Sequence, residues 1–412
     1  MKKKVLVFAV IIIMVMTVFS ACSKQQKSGG SVTLTVSTFA GDPYQSAWRV
    51  MFDKFETDHG VTIVHDAIPW ETMREKQALE LSSGSGSYDV VYVHPFWFED
   101  LASNGYLVPI DDYCSSAERS KYVESLLDLY AYQGKVYGLP EFIVTQILGY
   151  RKDLFASAGL SAPKNWDDVL NAADKLADGD NLYGITFPGR ATGALAGIFM
   201  ANILSNGGWI LDSNGRPSIN SPAAIETGEY LQKLSRYAPA GYQNFHWDEN
   251  GTIACNGKAA MIFLATNNVP WLEDPGRSVT VGKWEYVPIS NKSPGGMVDS
   301  YCWSVAKNTK SMDAATALVK YMADTDVQIY LTEKMGTAGA SKAYYDNQDL
   351  VASHPELKAM NLAFTSAAPQ PSWSSWNAEQ EILETGLQNV FNGRASVRDV
   401  LNAAQAKMLE RF

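Results

Sequence analysis

Charged side chains are scarce in this sequence, and basic clusters are almost absent. Of its 412 residues, 19% are Asp, Glu, Lys or Arg, against about 25% in a typical soluble protein. The formal net charge is −10, and no run of Lys or Arg occurs beyond the first four residues. Because nucleic-acid binding depends on a basic surface, the composition argues against a nucleic-acid partner.

Recognisable catalytic and metal-binding motifs are also absent from the sequence. The five His residues are scattered, with no HExxH and no pair four residues apart, so no local metal site is predicted. The segment 84–89 (GSGSYD) precedes a strand instead of opening a helix, which excludes a dinucleotide fingerprint. No GxSxG or Walker pattern occurs. We therefore expect no cofactor and no metal, although paired carboxylates for glycoside chemistry stay possible, since distant acids can meet in a fold.

Cysteine is rare, with four residues in the chain: Cys22, Cys114, Cys255 and Cys302. Their wide spacing and the lack of any CxxC support neither a disulfide framework nor a zinc site. One bridge among the last three remains possible. We expect these three side chains to be mostly buried as small apolar groups.

The only long apolar run lies at the N-terminus, where residues 2–4 are lysines and 5–19 are apolar or Thr. A run of this length is shorter than the ~20 residues that cross a bilayer, which predicts a secretory signal peptide over residues 1–21. Small residues directly before Cys22 resemble the lipobox of bacterial lipoproteins, in which that Cys is acylated, as with palmitate, and anchors the protein to the membrane. The alternative is an ordinary signal with an incidental Cys. Residues 22–30 are polar and Gly/Ser-rich, as in a flexible tether.

The rest of the chain has the pattern of an α/β protein of two or three domains. Apolar residues at Val32, Leu34 and Val36 alternate with polar ones and predict a strand. A helix is predicted from Asp42 to Gly60, followed by a strand at 61–68, a helix at 71–82 and a strand at 89–93. This alternation predicts an open, mostly parallel sheet. Trp48 and Trp166 lie on helical stripes or caps and are assigned to the core.

Aromatic side chains are concentrated in or beside the predicted loops. Trp70 follows one strand, Phe96 and Trp97 follow another, and Trp271 and Trp373 lie in later loops. Aromatic residues after strand ends would line the crevice in which open α/β sheets bind ligands. A flat indole suits the C–H face of a sugar.

Several blocks of sequence resemble the family 1 extracellular solute-binding proteins of ABC transporters. Residues 134–140 (GKVYGLP) and 148–160 (LGYRKDLFASAGL) carry the main match, and 163–166 (PKNW) continues it. Shorter matches follow in the same order at 206–208 (NGG), 256–261 (NGKAAM) and 392–396 (NGRAS). The resemblance spans nearly the whole mature chain. Residues 150–151 (YR) and 187–190 (FPGR) are similar to the sugar-alcohol branch of the family.

The resemblance implies a periplasmic-binding-protein-like fold with two lobes, each built on a central, mostly parallel sheet and joined by hinge strands. The expected N-lobe comprises residues 31–141 and 303–345, and the expected C-lobe comprises 142–302 and 346–412. Chain crossings are expected near Glu141, at 299–303 and near Tyr345.

The loop aromatics and the resemblance together give a set of candidate ligand-binding residues. Glu141, at the first crossing, is expected to accept ligand hydroxyls, and Trp373 is expected to stack. Asn267 stands where maltose-binding members have an aromatic residue, which argues against a maltodextrin ligand. The full set is Phe39, Trp70, His94, Phe96, Trp97, Glu141, Arg190, Asn267, Trp271, Asp299, Trp303 and Trp373.

These features predict a binding protein and not an enzyme: the lipid-anchored, extracytoplasmic component of an ABC importer that captures a sugar, oligosaccharide or sugar alcohol by lobe closure. Its expected partners are the ligand, the permease subunits and, through Cys22, the membrane. The competing hypothesis is a secreted glycoside hydrolase or lyase that uses the same aromatic cleft. A surface adhesin with a merely structural two-lobed body is a third.

Overall fold

The computed structural model describes residues 32–179, 181–364, 367–369, 371 and 376–410. The predicted signal peptide, the tether with Cys22, and Trp373 lie outside the described residues.

Helices and strands alternate along the first part of the chain, as the sequence predicts. The helices are α1 (Tyr44–His59), α2 (Trp70–Ser82), α3 (Pro95–Ser103), α4 (Ser116–Arg119), α5 (Glu124–Asp128), α6 (Lys152–Ser157), α7 (Trp166–Leu176), α8 (Ala194–Ser205), α9 (Pro222–Leu234), α10 (Trp247–Cys255), α11 (Val269–Glu273), α12 (Met312–Met322), α13 (Thr325–Met335), α14 (Lys342–Asp346), α15 (Gln348–Ser353), α16 (Glu356–Phe364), α17 (Trp376–Phe391) and α18 (Val397–Leu409). The strands are β1 (Val32–Phe39), β2 (Val61–Ile68), β3 (Val90–Val93), β4 (Ala131–Tyr132), β5 (Lys135–Val136), β6 (Leu139–Val144), β7 (Gln146–Arg151), β8 (Met261–Ala265), β9 (Trp284–Ser290), β10 (Pro294–Gly295), β11 (Met297–Val305), β12 (Ala338–Gly339) and β13 (Ala368–Pro369).

The first lobe is built on a seven-stranded sheet in the order β12-β6-β11-β3-β1-β2, with β13 beside β11. Strands β1, β2 and β3 are parallel, as expected from their helical crossovers. Strand β11 runs antiparallel to both β3 and β6. The sheet is therefore mixed.

The second lobe is built on a four-stranded sheet in the order β10-β9-β7-β8. All three of these strand pairs are antiparallel. The two-lobed α/β architecture is thus confirmed, but the expectation of a mostly parallel sheet in each lobe is wrong, because the first sheet is mixed and the strand pairs of the second are antiparallel. The alternation of apolar and polar residues is the same in parallel and antiparallel strands. The direction of a strand depends instead on how the chain connects it to its neighbour in the sheet.

Two short connections join the sheets. Val144 ends β6 in the first sheet, and Gln146 begins β7 in the second, so Thr145 is the first passage between lobes. The chain returns between Gly295 of β10 and Met297 of β11. Extended connections of this kind are the usual site of hinge motion.

Local signals account for many of the element boundaries. Gly60 adopts φ 65° after α1, the left-handed conformation that glycine accepts without strain. Asn165, Ser221 and Ser396 cap α7, α9 and α18 with their side chains.

Each lobe has its own hydrophobic core, and the predicted core residues lie in them. Trp48 is fully buried in the first core, and Trp166 is buried in the second. Cys114, Cys255 and Cys302 are buried free thiols, as expected. None of the described helices combines the length with the apolar character that a membrane crossing requires.

Candidate ligand-binding cleft

The carboxyl ends of three parallel strands bring four predicted site residues to one edge of the first sheet. Phe39 ends β1, Trp70 follows β2, and His94 and Phe96 follow β3. The ring centroids of Trp70 and His94 lie 6.2 Å apart, and those of His94 and Phe96 lie 4.4 Å apart. Phe39 lies 5.3 Å from Tyr301 of β11. We call Phe39, Trp70 and Phe96 the aromatic wall, and the ring of His94 contacts the last two.

Trp70 is the most open member of the wall, with 44% of its surface exposed. Its indole Nε1 donates a hydrogen bond to the phenol oxygen of Tyr301 at 2.6 Å. Tyr301 in turn stacks on Tyr92 with an interplanar angle of 5°. Because the indole is fixed by a buried partner, Trp70 offers a preorganised aromatic surface at the mouth of the cleft.

His94 and Asp299 form a polar pair beside the aromatic wall. His94 Nδ1 accepts from the backbone N–H of Phe96 at 3.2 Å, so the proton of the neutral ring is assigned to Nε2. That Nε2 lies 2.7 Å from Asp299 Oδ1 and donates to it. The Asp299 side chain is 29% exposed, which leaves a carboxylate that can accept hydroxyl donors. The buried His94 holds it in place.

Two predicted ligand-binding residues, Trp97 and Trp303, lie in the core of the first lobe. Trp97 is 3% exposed and donates to Gln77 Oε1 at 2.9 Å. Trp303 is fully buried, with its ring centroid 4.4 Å from that of Tyr92. The structure therefore does not place either indole on the cleft surface. Trp303 lies on β11, which is a central strand whose two faces are both covered.

Glu141 also lies beneath the aromatic wall. The residue is 1% exposed, and its Oε1 accepts from Trp48 Nε1 at 2.9 Å. Burial raises the pKa of Glu141 to about 8, although the hydrogen bond from Trp48 opposes the shift. The carboxyl is thus mostly protonated at neutral pH and enclosed by protein. This placement differs from the expectation that Glu141 accepts ligand hydroxyls at the cleft surface.

Asn267 connects the second lobe to the first. It lies in a short helical turn after β8, and its Nδ2 donates to the phenol oxygen of Tyr44 at 3.0 Å. Burial raises the pKa of Tyr44, and the hydrogen bond with Asn267 opposes that shift. The side chain that was expected to bind ligand therefore has its amide N–H directed to the opposite lobe.

The two remaining described candidates of the second lobe have contacts within that lobe. Arg190 is exposed, and its backbone N–H donates to the carbonyl of Phe245 at 3.0 Å. Trp271 is half-buried in α11, where the guanidinium of Arg277 lies 4.0 Å from a ring centroid. A methyl group at Gly251 would lie 2.8 Å from Trp271, so the indole also packs tightly against α10.

Three residues of the cleft were missed by the sequence analysis: Tyr44, Tyr301 and Trp247. Tyr301 lies two positions from both Asp299 and Trp303, so strand periodicity places it on the face of Asp299. Tyr44 lies shortly after the end of β1, where the ligand crevice was expected. Trp247 is partly buried against the hydrophobic cores of both lobes, and no signal in the sequence indicates such a contact.

The described part of the chain contains no group of three or more His, Cys, Asp or Glu arranged to hold a metal ion. The described residues of the cleft offer aromatic surface at Trp70 and a hydrogen-bond acceptor at Asp299. Such a site can bind a neutral polyhydroxylated molecule without changing it covalently.

Residues 41–329 match the family described as bacterial extracellular solute-binding protein. The chain belongs to this family. This confirms the family expected from the sequence blocks.

Relatives of this solute-binding protein extend over almost its full length. It is 24% identical to the maltodextrin-binding protein MdxE of Bacillus subtilis (strain 168), with 95% of each chain covered. The structure of maltose-bound MalE3 from T. maritima superposes with a TM-score of 0.82 at 18% identity, covering 93% of this chain and 100% of that one. A solute-binding protein of an ABC transporter from Agrobacterium radiobacter K84, in complex with ribitol, has a TM-score of 0.78 at 24% identity, covering 92% and 99%. At these identities the structural likeness shows the two-lobed fold.

Proposed function

We propose that this solute-binding protein is the extracytoplasmic component of an ABC importer that captures a sugar, oligosaccharide or sugar alcohol between its lobes. The observation that carries the proposal is the Trp70 indole, fixed by Tyr301 at 2.6 Å, beside the partly exposed Asp299. An aromatic face next to a carboxylate acceptor matches the alternating C–H and O–H groups of a polyol. Relatives that are named for maltodextrin or were solved with ribitol support this ligand class.

In this proposal each cleft residue has a distinct part. Phe39, Trp70 and Phe96 provide the apolar wall, Asp299 accepts ligand hydroxyls, and His94 orients Asp299. From the second lobe we propose contacts through Arg190 and Trp373. Trp97, Trp303 and Glu141 act beneath the wall by fixing its shape.

Binding would proceed by closure of the two lobes about the passages at Thr145 and between Gly295 and Met297. A ligand that touches both lobes favours the closed state by its difference in affinity for the two states. The closed form would then be recognised by permease subunits. The lobe bounds expected from the sequence are 31–141 with 303–345 and 142–302 with 346–412. In this proposal the first bound moves to Val144, where β6 ends, and the second moves to Met297, where β11 begins. Signal cleavage and acylation of Cys22 would tether the protein outside the cytoplasmic membrane.

Thermal unfolding in the presence of a panel of sugars, alditols and amino acids tests the ligand class. A ligand at a hundred times its Kd stabilises the native state by about 2.7 kcal/mol, so at least one sugar or alditol should raise the Tm. Trp70→Ala should reduce that rise, whereas Leu79→Ala, at an exposed position of α2, should preserve it. Stabilisation by amino acids alone would contradict the proposal.

Incubation of the purified protein with a labelled oligosaccharide separates binding from catalysis. We expect the ligand to be recovered intact, because the cleft is proposed to hold its ligand by stacking and hydrogen bonds alone. Stoichiometric binding followed by release of shorter products would instead support the hydrolase or lyase.

A further inference from the structure

The segment 266–273 of the second lobe, here called the clasp segment, touches the first lobe at two separate points. Asn267 Nδ2 donates to the Tyr44 hydroxyl at 3.0 Å, and Tyr44 begins α1. At the second point Gly336, which ends α13, packs on Pro270 so closely that a methyl group at Gly336 would overlap the proline ring. Helix α13 itself packs against α1. Both contacts therefore involve two helices of the first lobe that pack on each other.

The clasp segment lies at the base of the cleft. Ala265, which precedes it, pairs with Gln146, the residue directly after the passage at Thr145. The segment is therefore carried by the strand that lies beside the hinge connection. Rotation of the lobes about this connection would move the clasp segment relative to α1 and α13.

A cavity of ≈ 460 Å³ lies behind the clasp segment, between the two lobes. Its walls include Pro270 and Glu273 of the clasp segment, Tyr286 of β9, and Thr332 and Glu333 of α13. The clasp segment therefore borders an open space. Its Val269 and Leu272 nevertheless share a buried apolar cluster with Ala338 of β12, so the packing between the lobes is continuous at that point.

The clasp segment buries polar side-chain atoms against the first lobe. Within the described residues, Asn267 Oδ1 and Asn268 Oδ1 are buried and have no hydrogen-bond partner. Separation of the lobes would expose both atoms to water, so their burial favours the open form. The Tyr44–Asn267 bond acts in the opposite direction. If this hydrogen bond were lost without separation of the lobes, the Asn267 N–H would also lack a partner.

We propose that the clasp segment closes on the first lobe as a contact between protein groups alone, and that the Tyr44–Asn267 hydrogen bond sets the balance between open and closed forms. This inference rests on the proposed binding function. Asn267 then influences affinity without touching the ligand. Since apparent Kd is the intrinsic Kd divided by the closed fraction, a weaker clasp raises Kd by the same factor for every ligand.

Titration of Tyr44→Phe with several sugars and alditols tests the inference. We expect Kd to rise by about three- to tenfold, the equivalent of one buried hydrogen bond, and by the same factor for each ligand. The control Tyr106→Phe, a half-buried tyrosine elsewhere in the first lobe, should leave every Kd unchanged. Trp70→Phe, in the aromatic wall, should change Kd by factors that differ between ligands. The double variant Tyr44→Phe/Asn267→Ala should lose no more than the larger single variant, because both remove the same bond.

Small-angle X-ray scattering without ligand provides the second measurement. The clasp needs no ligand, so ligand-free Tyr44→Phe should have a larger radius of gyration than the wild type and Tyr106→Phe. A loss of affinity confined to ligands that share one hydroxyl would make Tyr44 a ligand contact and overturn the inference. So would an unchanged radius of gyration. If no sugar or alditol binds the wild type, the proposed function fails, while the scattering comparison still decides the clasp.

Discussion

Trp70 and Tyr301, 231 positions apart in the chain, are joined by a hydrogen bond of 2.6 Å from the indole Nε1 to the phenol oxygen. Trp70 lies at the start of a helix, and Tyr301 lies on a central strand that enters from the other lobe. The bond fixes the orientation of the indole. It therefore couples the shape of the cleft to the return strand between the lobes.

Substitution of Tyr301 by Phe should weaken ligand binding with little effect on stability. The ring can still stack on Tyr92, and the partly exposed indole N–H can bond to water instead. We expect a loss of about 1 kcal/mol in binding free energy, since one fixing hydrogen bond is removed. Trp70→Ala should cost about 1.5–3 kcal/mol, because the whole apolar surface is lost. Isothermal titration calorimetry with the sugar or alditol that binds most tightly measures the loss of binding free energy in both variants. An equal loss in Tyr301→Phe and Trp70→Ala would contradict the prediction that Trp70→Ala costs more.

The buried carboxyl of Glu141 should make stability depend on pH. Its pKa is raised from 4.5 to about 8 in the folded protein, so the fold favours the protonated form. The stability that this provides is complete below about pH 4.5 and is lost as pH rises towards 8. The contribution of Glu141 to the free energy of unfolding should fall by about 1.4 kcal/mol per pH unit within that window.

Urea unfolding at several pH values between 5 and 8 measures this slope. Glu141→Gln keeps the shape of the carboxyl without the charge and should flatten it. Glu124→Gln, at an exposed position, should retain the wild-type slope. A Glu141→Gln slope identical to that of the wild type would show that other groups cause the dependence.

Glu384 should be a major contributor to the stability of the second lobe. Its carboxylate accepts from the backbone N–H groups of Gly193 and Ala196, both at 2.9 Å, at the start of the buried helix α8. Burial raises the pKa of Glu384, although these hydrogen bonds oppose the shift. Glu384→Ala leaves buried donors without an acceptor and should cost about 2–4 kcal/mol. Glu384→Gln retains one acceptor oxygen and should lower the free energy of unfolding by less. Urea unfolding of both variants measures the difference, and a greater loss of stability in Glu384→Gln than in Glu384→Ala would refute this explanation.

Gly138, in the YGLP block, should tolerate no side chain. A methyl group there would lie 2.8 Å from Ser304 Oγ and would overlap the Cys302 thiol. Gly138→Ala should therefore destabilise the protein by about 1–3 kcal/mol, the usual cost of overpacking. Adding Cys302→Ala should recover part of the lost stability. Chemical denaturation of the two single variants and the double variant should therefore show that their changes in the free energy of unfolding are not additive.

Local chemistry made much of the first lobe predictable. The spacing of apolar residues in α1 predicts which face of the helix is buried, and Gly60 predicts where the helix ends. Strand β2 occupies the predicted residues 61–68. The direction of β7, β8 and β9 was not predictable, because alternation is the same in parallel and antiparallel strands. The site was predicted only in part. The strand ends predict where Trp70, His94 and Phe96 lie, but they do not predict which indole side chains are buried in the core.

The sequence by itself determined the kinds of element, their caps and the family, because these depend on periodicity, on capping and turn residues and on contiguous motifs. Only the tertiary structure decided that Trp70 is exposed while Trp97 and Trp303 are buried, and that Tyr44 meets Asn267 across the cleft. Such outcomes depend on groups that are hundreds of residues apart and on the space left between two separately packed cores, which no local pattern records.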